Sequence, residues 1–188
     1  EEVEFDGTTP MKMKQLTSTY RFKPFTWSDG TAGSVDDLML GYKIDCDKES
    51  GSTSFEVCDQ IAEITPGTAT DALEYTIKWL PGSQYSLYFG SQFHIYPSHQ
   101  VLADGRKLAD VPAGEWATLP EIAEQPLSMA PFVLESWNKG ESMTFVRNEY
   151  FEPKAKLAKI VIQFFPDSQT AVAALLGGDV DYLEKATL

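Results

Sequence analysis

The chain has 188 residues and carries 28 acidic against 15 basic side chains, which gives a formal net charge of −13. This charge argues against nucleic-acid binding, because phosphates require a basic face, and against adsorption on anionic lipid. The hydrophobic content of 43% is ample for a buried core. No apolar stretch approaches the roughly 20 residues needed to cross a bilayer, and no signal peptide is visible.

The first third of the chain predicts a strand and a helix after a polar loop at residues 1–10. Apolar and polar residues alternate over residues 16–22, as in a half-buried strand. Ser28-Asp29-Gly30 predicts a tight turn in which the Asp29 side chain bonds its own backbone. Ser34 and Asp37 have the spacing of a capping box and predict a helix start. The core-facing stripe of this helix would consist of Val35, Leu38, Met39 and Tyr42.

The middle of the chain predicts a second strand over residues 73–79, whose buried face would carry Tyr75, Ile77 and Trp79. Short helices are predicted over residues 85–89 and from Pro97 to a point before Gly105. Residues 108–126 contain three prolines and little periodicity, which predicts a connection between two lobes. Trp116 lies in this connection and is the tryptophan that we expect to be most exposed, whereas Trp79 and Trp137 are expected in the core or between lobes.

The last third predicts a hairpin, a strand, a helix and a further strand. The hairpin would turn at Asn138-Lys139-Gly140-Glu141. The nearly continuous apolar run at residues 160–165 predicts a strand covered on both faces. Ser168 is the expected N-cap of an alanine-rich helix that Gly177-Gly178 terminates. A helix is the usual crossover between parallel strands, so we expect residues 159–165 and 180–182 to lie side by side in the same direction.

Three motifs in this order resemble those of a known family. The first runs from Trp27-Ser28-Asp29-Gly30-Thr31 through residues 34–38 to Tyr42, and a weaker one covers residues 95–102. The last covers residues 131–137, Arg147-Asn148 with Tyr150, and residues 174–181. Together they resemble the extracytoplasmic solute-binding proteins of peptide-type ABC importers, family 5. One departure is that Ser128, Met129 and Ala130 stand where the family has glycines before a Pro-Phe pair.

The resemblance implies a mixed α+β and α/β fold of the type II periplasmic-binding-protein-like class with an extra small domain. Residues 1–118 would form the small α+β lobe, and residues 119–188 would form part of a mixed-sheet ligand-binding lobe. Family members are about twice this length or more, so the chain would be a fragment unable to bind alone. The whole protein would capture a peptide or related small solute outside the cytoplasm, as a periplasmic protein or cell-surface lipoprotein, and deliver it to an ABC permease.

The site residues follow from the same resemblance. If the loop before the hairpin lines the ligand cleft, the candidate ligand-binding residues are Ser128, Met129, Ala130 and Phe132. In an exported protein Cys46 and Cys58 would form a disulfide worth about 3 kcal/mol, with two buried free thiols as the alternative. Neither cysteine has the nearby second ligand pair that a zinc site requires, so we expect no metal and no cofactor.

The sequence contains no recognised catalytic motif. The two histidines, His94 and His99, belong to no recognised catalytic or metal-binding motif, and the sequence has no nucleophile elbow or phosphate-binding loop. We therefore expect no enzyme and interpret His99 as a structural residue. Two alternatives remain open. One is a secreted hydrolase using paired carboxylates such as Asp36-Asp37, and the other is a non-catalytic extracellular interaction module.

Overall fold

The computed structural model describes residues 12–68, 73–83, 86–90 and 93–184. The predicted loop at residues 1–10 therefore lies outside the described residues. Among those described, two three-stranded antiparallel sheets are formed. The first sheet has the order β1-β3-β2, with β1 at Thr17–Arg21, β2 at Ile61–Pro66 and β3 at Glu74–Trp79. Helix α1, Val35–Asp45, follows β1 in the chain.

Helix α1 is buried on two sides. On one side Leu38 joins a core with Tyr75, Ile77 and Trp79 of the central strand β3. On the other side Leu40 and Ile44 belong to a second core that includes Leu108, Val111 and Trp116. The predicted single stripe was therefore incomplete, because a later segment of the chain covers the opposite face of the helix. The predicted capping box at Ser34 and Asp37 and the strand β3 are confirmed.

Gly41 marks where the backbone at His94 touches the helix. A Cβ atom at this position would lie 1.7 Å from the carbonyl oxygen of His94. Only glycine allows the two backbones to approach this closely. The His94 amide also donates to a carboxylate oxygen of Asp45 at 2.8 Å, which holds this part of the backbone along the last turn of α1.

The disulfide lies just beyond the same end of α1. Cys46, the C-cap residue, is joined to Cys58, and their Cα atoms are 5.5 Å apart. Cys58 begins a short 3₁₀ helix, Cys58–Gln60, that leads directly into β2. The bridge therefore ties the end of α1 to the start of an outer strand of the first sheet.

Residues 108–126 are packed rather than extended as a loose connection. They form 3₁₀ helices at Leu108–Asp110 and Ala113–Thr118 and the short helix α2 at Pro120–Ala123. The prediction that Trp116 is exposed was wrong: it is 3% exposed, its Nε1 donates to the Val111 carbonyl at 3.2 Å, and its ring packs edge-on against Tyr96. Successive tight turns bring apolar residues onto α1 without the regular spacing that a sequence pattern reveals.

The two short helices predicted in the middle of the chain are absent from its described part. Residues 86–90 form turns, and Tyr85 lies outside the described residues. Residues 97–107 instead form a tight reversal with a bridge between Val101 and Lys107. In this reversal Leu102 N donates to the Arg106 carbonyl at 2.8 Å, so the backbone groups that a helix would use are already paired.

The second sheet has the order β4-β5-β6. Strands β4, Phe132–Asn138, and β5, Ser142–Arg147, form the predicted hairpin, with a register shift between Leu134 and Ser136 that the sequence did not indicate. Strand β6, Lys159–Gln163, leads to helix α3, Ser168–Gly177. The N-cap of α3 is Asp167 rather than the predicted Ser168, because the Asp167 carboxylate accepts the Thr170 amide at 2.8 Å. Gly178 provides the left-handed stop, as predicted.

The predicted parallel strand pair at the end of the chain is not formed. Residues 180–182 adopt no strand, and β6 pairs only with β5 within the described part of the chain. Nor is β6 covered on both faces: Val161 is 58% exposed and Ile162 43%. A run of three residues can form few ladder hydrogen bonds, and parallel pairing is the weaker kind, so such a strand needs packing on its faces to persist.

Candidate functional site

The carboxylate of Asp37 joins two of the sequence motifs. It is fully buried at the start of α1, where Oδ2 accepts hydrogen bonds from Trp27 Nε1 and Ser34 N, both at 2.9 Å. Oδ1 accepts from the amide of Ser98 at 2.8 Å and from its hydroxyl at 2.6 Å. These four hydrogen bonds replace the ones that the Asp37 carboxylate would make to water if it were exposed. The turn after Trp27 and the segment at residues 95–102 are thus held together by one side chain.

A second link between these motifs lies at the surface. Asp29 Oδ1 accepts the Thr31 amide at 2.9 Å, which confirms the predicted turn, and Oδ2 lies 2.8 Å from His99 Nε2. Burial alone would raise the pKa of Asp29, but the hydrogen bonds from Thr31 and His99 outweigh it and hold the pKa below its ordinary value. His99 therefore has the structural role that we expected.

The loop before the hairpin is held from both sides. The Ser128 amide donates to Ser28 Oγ at 3.0 Å. On the other side the buried Asn148 donates through Nδ2 to the Ala130 carbonyl at 2.9 Å, and its Oδ1 accepts the Tyr150 amide at 3.0 Å. The Tyr150 ring lies against Gly30, whose φ is +90° and where a Cβ would meet the ring at 3.0 Å. The third motif therefore packs directly on the turn of the first.

Beside this loop is a cleft of about 420 Å³. One wall consists of Ser28 and residues 124–127, and the other of residues 133–137 with Lys139. Successive side chains of a strand point to opposite faces, so a cleft that touches five consecutive residues of β4 must run along its edge. Within the described chain β4 pairs only with β5, which leaves this edge unpaired.

The cleft contains an aromatic ring and three charges. Trp137 is 38% exposed there, and Lys139 Nζ lies 5.5 Å from its ring centroid. Lys139 also pairs with Glu124. The third charge, Glu135, lies 3.6 Å from Lys159 Nζ. A second, smaller cavity of about 160 Å³ shares Pro126 and Leu127 with the cleft.

The predicted ligand-binding residues, Ser128, Met129, Ala130 and Phe132, lie between the two segments that line the cleft and are not among its lining residues. Their role in binding stays a prediction. Ser28, Glu124 and Lys139 were not predicted to line a site, and Trp137, which was expected in the core or between lobes, is 38% exposed. The bulge in β4 at Glu135 alters which way the following residues face, and no local signal in the sequence marks it.

Among the described residues, no group of three or more histidine, cysteine, aspartate or glutamate side chains is arranged to hold a metal ion. No helix in the same residues has the length and apolar character needed to cross a membrane.

Comparison with known proteins agrees with the resemblance. The family model described as "Bacterial extracellular solute-binding proteins, family 5 Middle" matches residues 14–188. The oligopeptide-binding protein AppA of Bacillus subtilis (strain 168) is 22% identical over 161 residues, which are 85% of this chain and 28% of AppA. A probable ABC transporter-binding protein of Deinococcus radiodurans is 23% identical, with 85% of this chain and 28% of that protein covered. The chain thus spans less than a third of these relatives.

Solved structures show the same fold. Bacillus subtilis AppA in complex with a nonapeptide superposes with a TM-score of 0.72 at 20% identity, covering 88% of this chain and 31% of AppA. Lactococcal OppA with an endogenous peptide gives 0.71 at 22% identity, covering 88% and 33%. NikZ from Campylobacter jejuni with Ni(L-His) gives 0.67 at 20% identity, covering 88% and 31%. The predicted fold class is confirmed, and the chain belongs to the bacterial extracellular solute-binding proteins of family 5.

Proposed function

We propose that this chain is part of the substrate-binding component of an ABC importer, which captures a peptide or a related small solute outside the cytoplasm and passes it to a membrane permease. The match of the family model over residues 14–188 is the observation that carries this proposal. The structures of similar fold contain a nonapeptide, an endogenous peptide and Ni(L-His). The chemical class of the solute is therefore the part of this proposal that the comparisons constrain least.

The mechanism that we propose is non-covalent. Residues 1–118 and 119–188 would belong to the two lobes of a clamp, and preferential affinity of the solute for the closed state would drive closure. The chain covers 28% of the first relatives, so the remaining lobe contacts would come from other parts of a longer protein. The whole protein would be periplasmic or anchored to the cell surface.

The hydrolase alternative receives no support from its candidate carboxylates. Asp37 is saturated by four hydrogen-bond donors and has no access to solvent. Its neighbour Asp36 is exposed on the outside of α1. A carboxylate pair that hydrolyses a glycosidic bond must face one shared substrate, and these two side chains do not share an environment.

The test is a melting-shift screen of the longer protein that contains this sequence, against dipeptides, longer peptides, sugars, nickel chelates and opines. Saturating solute at 100 times the dissociation constant should add about 2.7 kcal/mol to the free energy of unfolding and raise the melting temperature. The proposal would fail if no solute raised the melting temperature, or if a stabilising solute were chemically converted by the protein.

A further inference from the structure

We propose that the chain unfolds in two separate steps, because it consists of two units of different stability. The N-terminal unit comprises the described residues from 12 to 127, which include the first sheet, α1 and α2. The hairpin unit comprises residues 128–177, which include the second sheet and α3. The hairpin unit opens while the N-terminal unit stays folded. This inference concerns the conformation of the chain and does not rest on the proposed function.

The two units differ first in the apolar surface that they bury. Among the described residues, every buried apolar side chain lies between Tyr20 and Leu119, and neither core includes a residue after Ile122. In the described hairpin unit only Asn148 is buried, and its side chain is polar. Burial of apolar surface is the main favourable contribution to folding. The N-terminal unit therefore has a source of stability that the hairpin unit lacks in this chain.

The elements of the hairpin unit are correspondingly exposed. Helix α3 has 10 residues, and none of them is buried. Isolated helices shorter than about 12–15 residues are marginal in water, so α3 adds little stability by itself. Strand β5, at the centre of the second sheet, is only half-buried along its length. Strand β3, at the centre of the first sheet, instead buries Tyr75, Ile77 and Trp79.

Two long-range links strengthen the N-terminal unit alone. The disulfide between Cys46 and Cys58 ties the end of α1 to the start of β2. A disulfide stabilises mainly by constraining the unfolded chain, so this one acts on the unit that contains both cysteines. The buried carboxylate of Asp37 joins the turn after Trp27 to Ser98. Both links lie between residues that the hairpin unit does not contain, so neither resists its opening.

The contacts between the two units are slight. No strand or helix of one unit packs extensively against one of the other. The units are joined by a hydrogen bond, a ring contact and a surface ion pair: Ser128 with Ser28, Tyr150 with Gly30, and Lys139 with Glu124. Single hydrogen bonds and exposed ion pairs contribute little to stability, so they do not couple the units strongly. The cleft lies between the units, with one wall in each, and opening would separate its walls.

Hydrogen–deuterium exchange of the 188-residue chain, followed by mass spectrometry at low protein concentration, tests the proposal. The matched comparison is between β3 and β5, because each is the central strand of a three-stranded sheet. The amides of β5 should exchange at least about tenfold faster than those of β3, and they should lose protection at a lower urea concentration. Equal protection of the two strands, or loss of protection at the same urea concentration, would overturn the proposal.

Two mild variants show whether the units unfold independently. Ile77→Val removes one methyl group from a fully buried side chain of β3 and should accelerate exchange in β3 about two- to tenfold, while exchange in β5 stays unchanged. Phe145→Leu, in β5, should accelerate exchange in β5 and leave β3 unchanged. If either variant accelerates exchange equally in both strands, the chain unfolds as one cooperative unit and the proposal is wrong.

Discussion

Replacing Asp37 by alanine should be among the most damaging single changes in the chain. The side chain is fully buried and accepts four hydrogen bonds, from Trp27 Nε1, from the amide of Ser34, and from the amide and hydroxyl of Ser98. Its removal leaves buried donors without an acceptor, and each such donor costs about 1–3 kcal/mol. Partial relaxation and entry of water would reduce the sum, so we expect a loss of about 3–5 kcal/mol in the free energy of unfolding.

Urea unfolding followed by tryptophan fluorescence measures this loss directly, because Trp27 and Trp116 lie in the affected region. Asp36→Ala is the matched control: it removes an exposed carboxylate from the same first turn of α1 and should cost less than about 1 kcal/mol. Asp37→Asn should fall between the two, because an amide retains one acceptor oxygen. A loss below about 1 kcal/mol for Asp37→Ala would refute the claim that this carboxylate joins the two motifs.

Three further predictions test other parts of the fold. Gly41→Ala should lower the free energy of unfolding, measured in urea, by about 2 kcal/mol or more, because its Cβ would lie 1.7 Å from the carbonyl oxygen of His94. Gly114→Ala should be almost neutral, because a Cβ there would lie 3.5 Å from its nearest neighbour. Equal effects of the two substitutions would contradict the close approach at Gly41. Because the pKa of Asp29 is lowered, the contribution of this carboxylate to stability is present above its ordinary pKa and is lost as the pH falls through the lowered pKa. From about pH 4 downward, the melting temperature of Asp29→Asn should therefore fall less steeply than that of the parent protein. Parallel curves of melting temperature against pH would contradict this prediction. The 188-residue chain should self-associate as its concentration rises, because Val161, Ile162 and Leu176 are exposed apolar residues. Ile162→Lys should weaken this self-association. Light scattering that shows only a monomer at high concentration would contradict the prediction.

Local signals in the sequence predicted the elements that depend on a few neighbouring residues. The capping box at Ser34 and Asp37, the turn at Asp29 and the hairpin turn at residues 138–141 are each specified within four residues, and the structure contains all three. The burial of Tyr75, Ile77 and Trp79 could be predicted equally well, because in a strand whose sheet is packed on one face every second residue is buried.

The errors arose where distant segments decide the outcome. Trp116 is buried because it packs in one core with Leu40 and Ile44 of α1, which lie about 70 positions earlier in the sequence. No pattern within residues 108–126 indicates this contact. Residues 97–107 form no helix, and the Ser98 amide at their start donates to the carboxylate of Asp37, 61 positions away in the sequence. The strand expected at residues 180–182 depends on neighbours that would have to pack on its faces. The cleft was missed for a similar reason, since it requires the bulge at Glu135 and the docking of residues 124–127 beside β4.

Calorimetric titration of two proteins with the same solute tests the central proposal most directly. The longer protein that contains this sequence should bind a solute identified by melting shift with micromolar or tighter affinity and without turnover. The 188-residue chain should give no micromolar binding of that solute, because it spans less than a third of its relatives. Micromolar binding by the 188 residues alone, or release of a reaction product from the longer protein, would contradict the account.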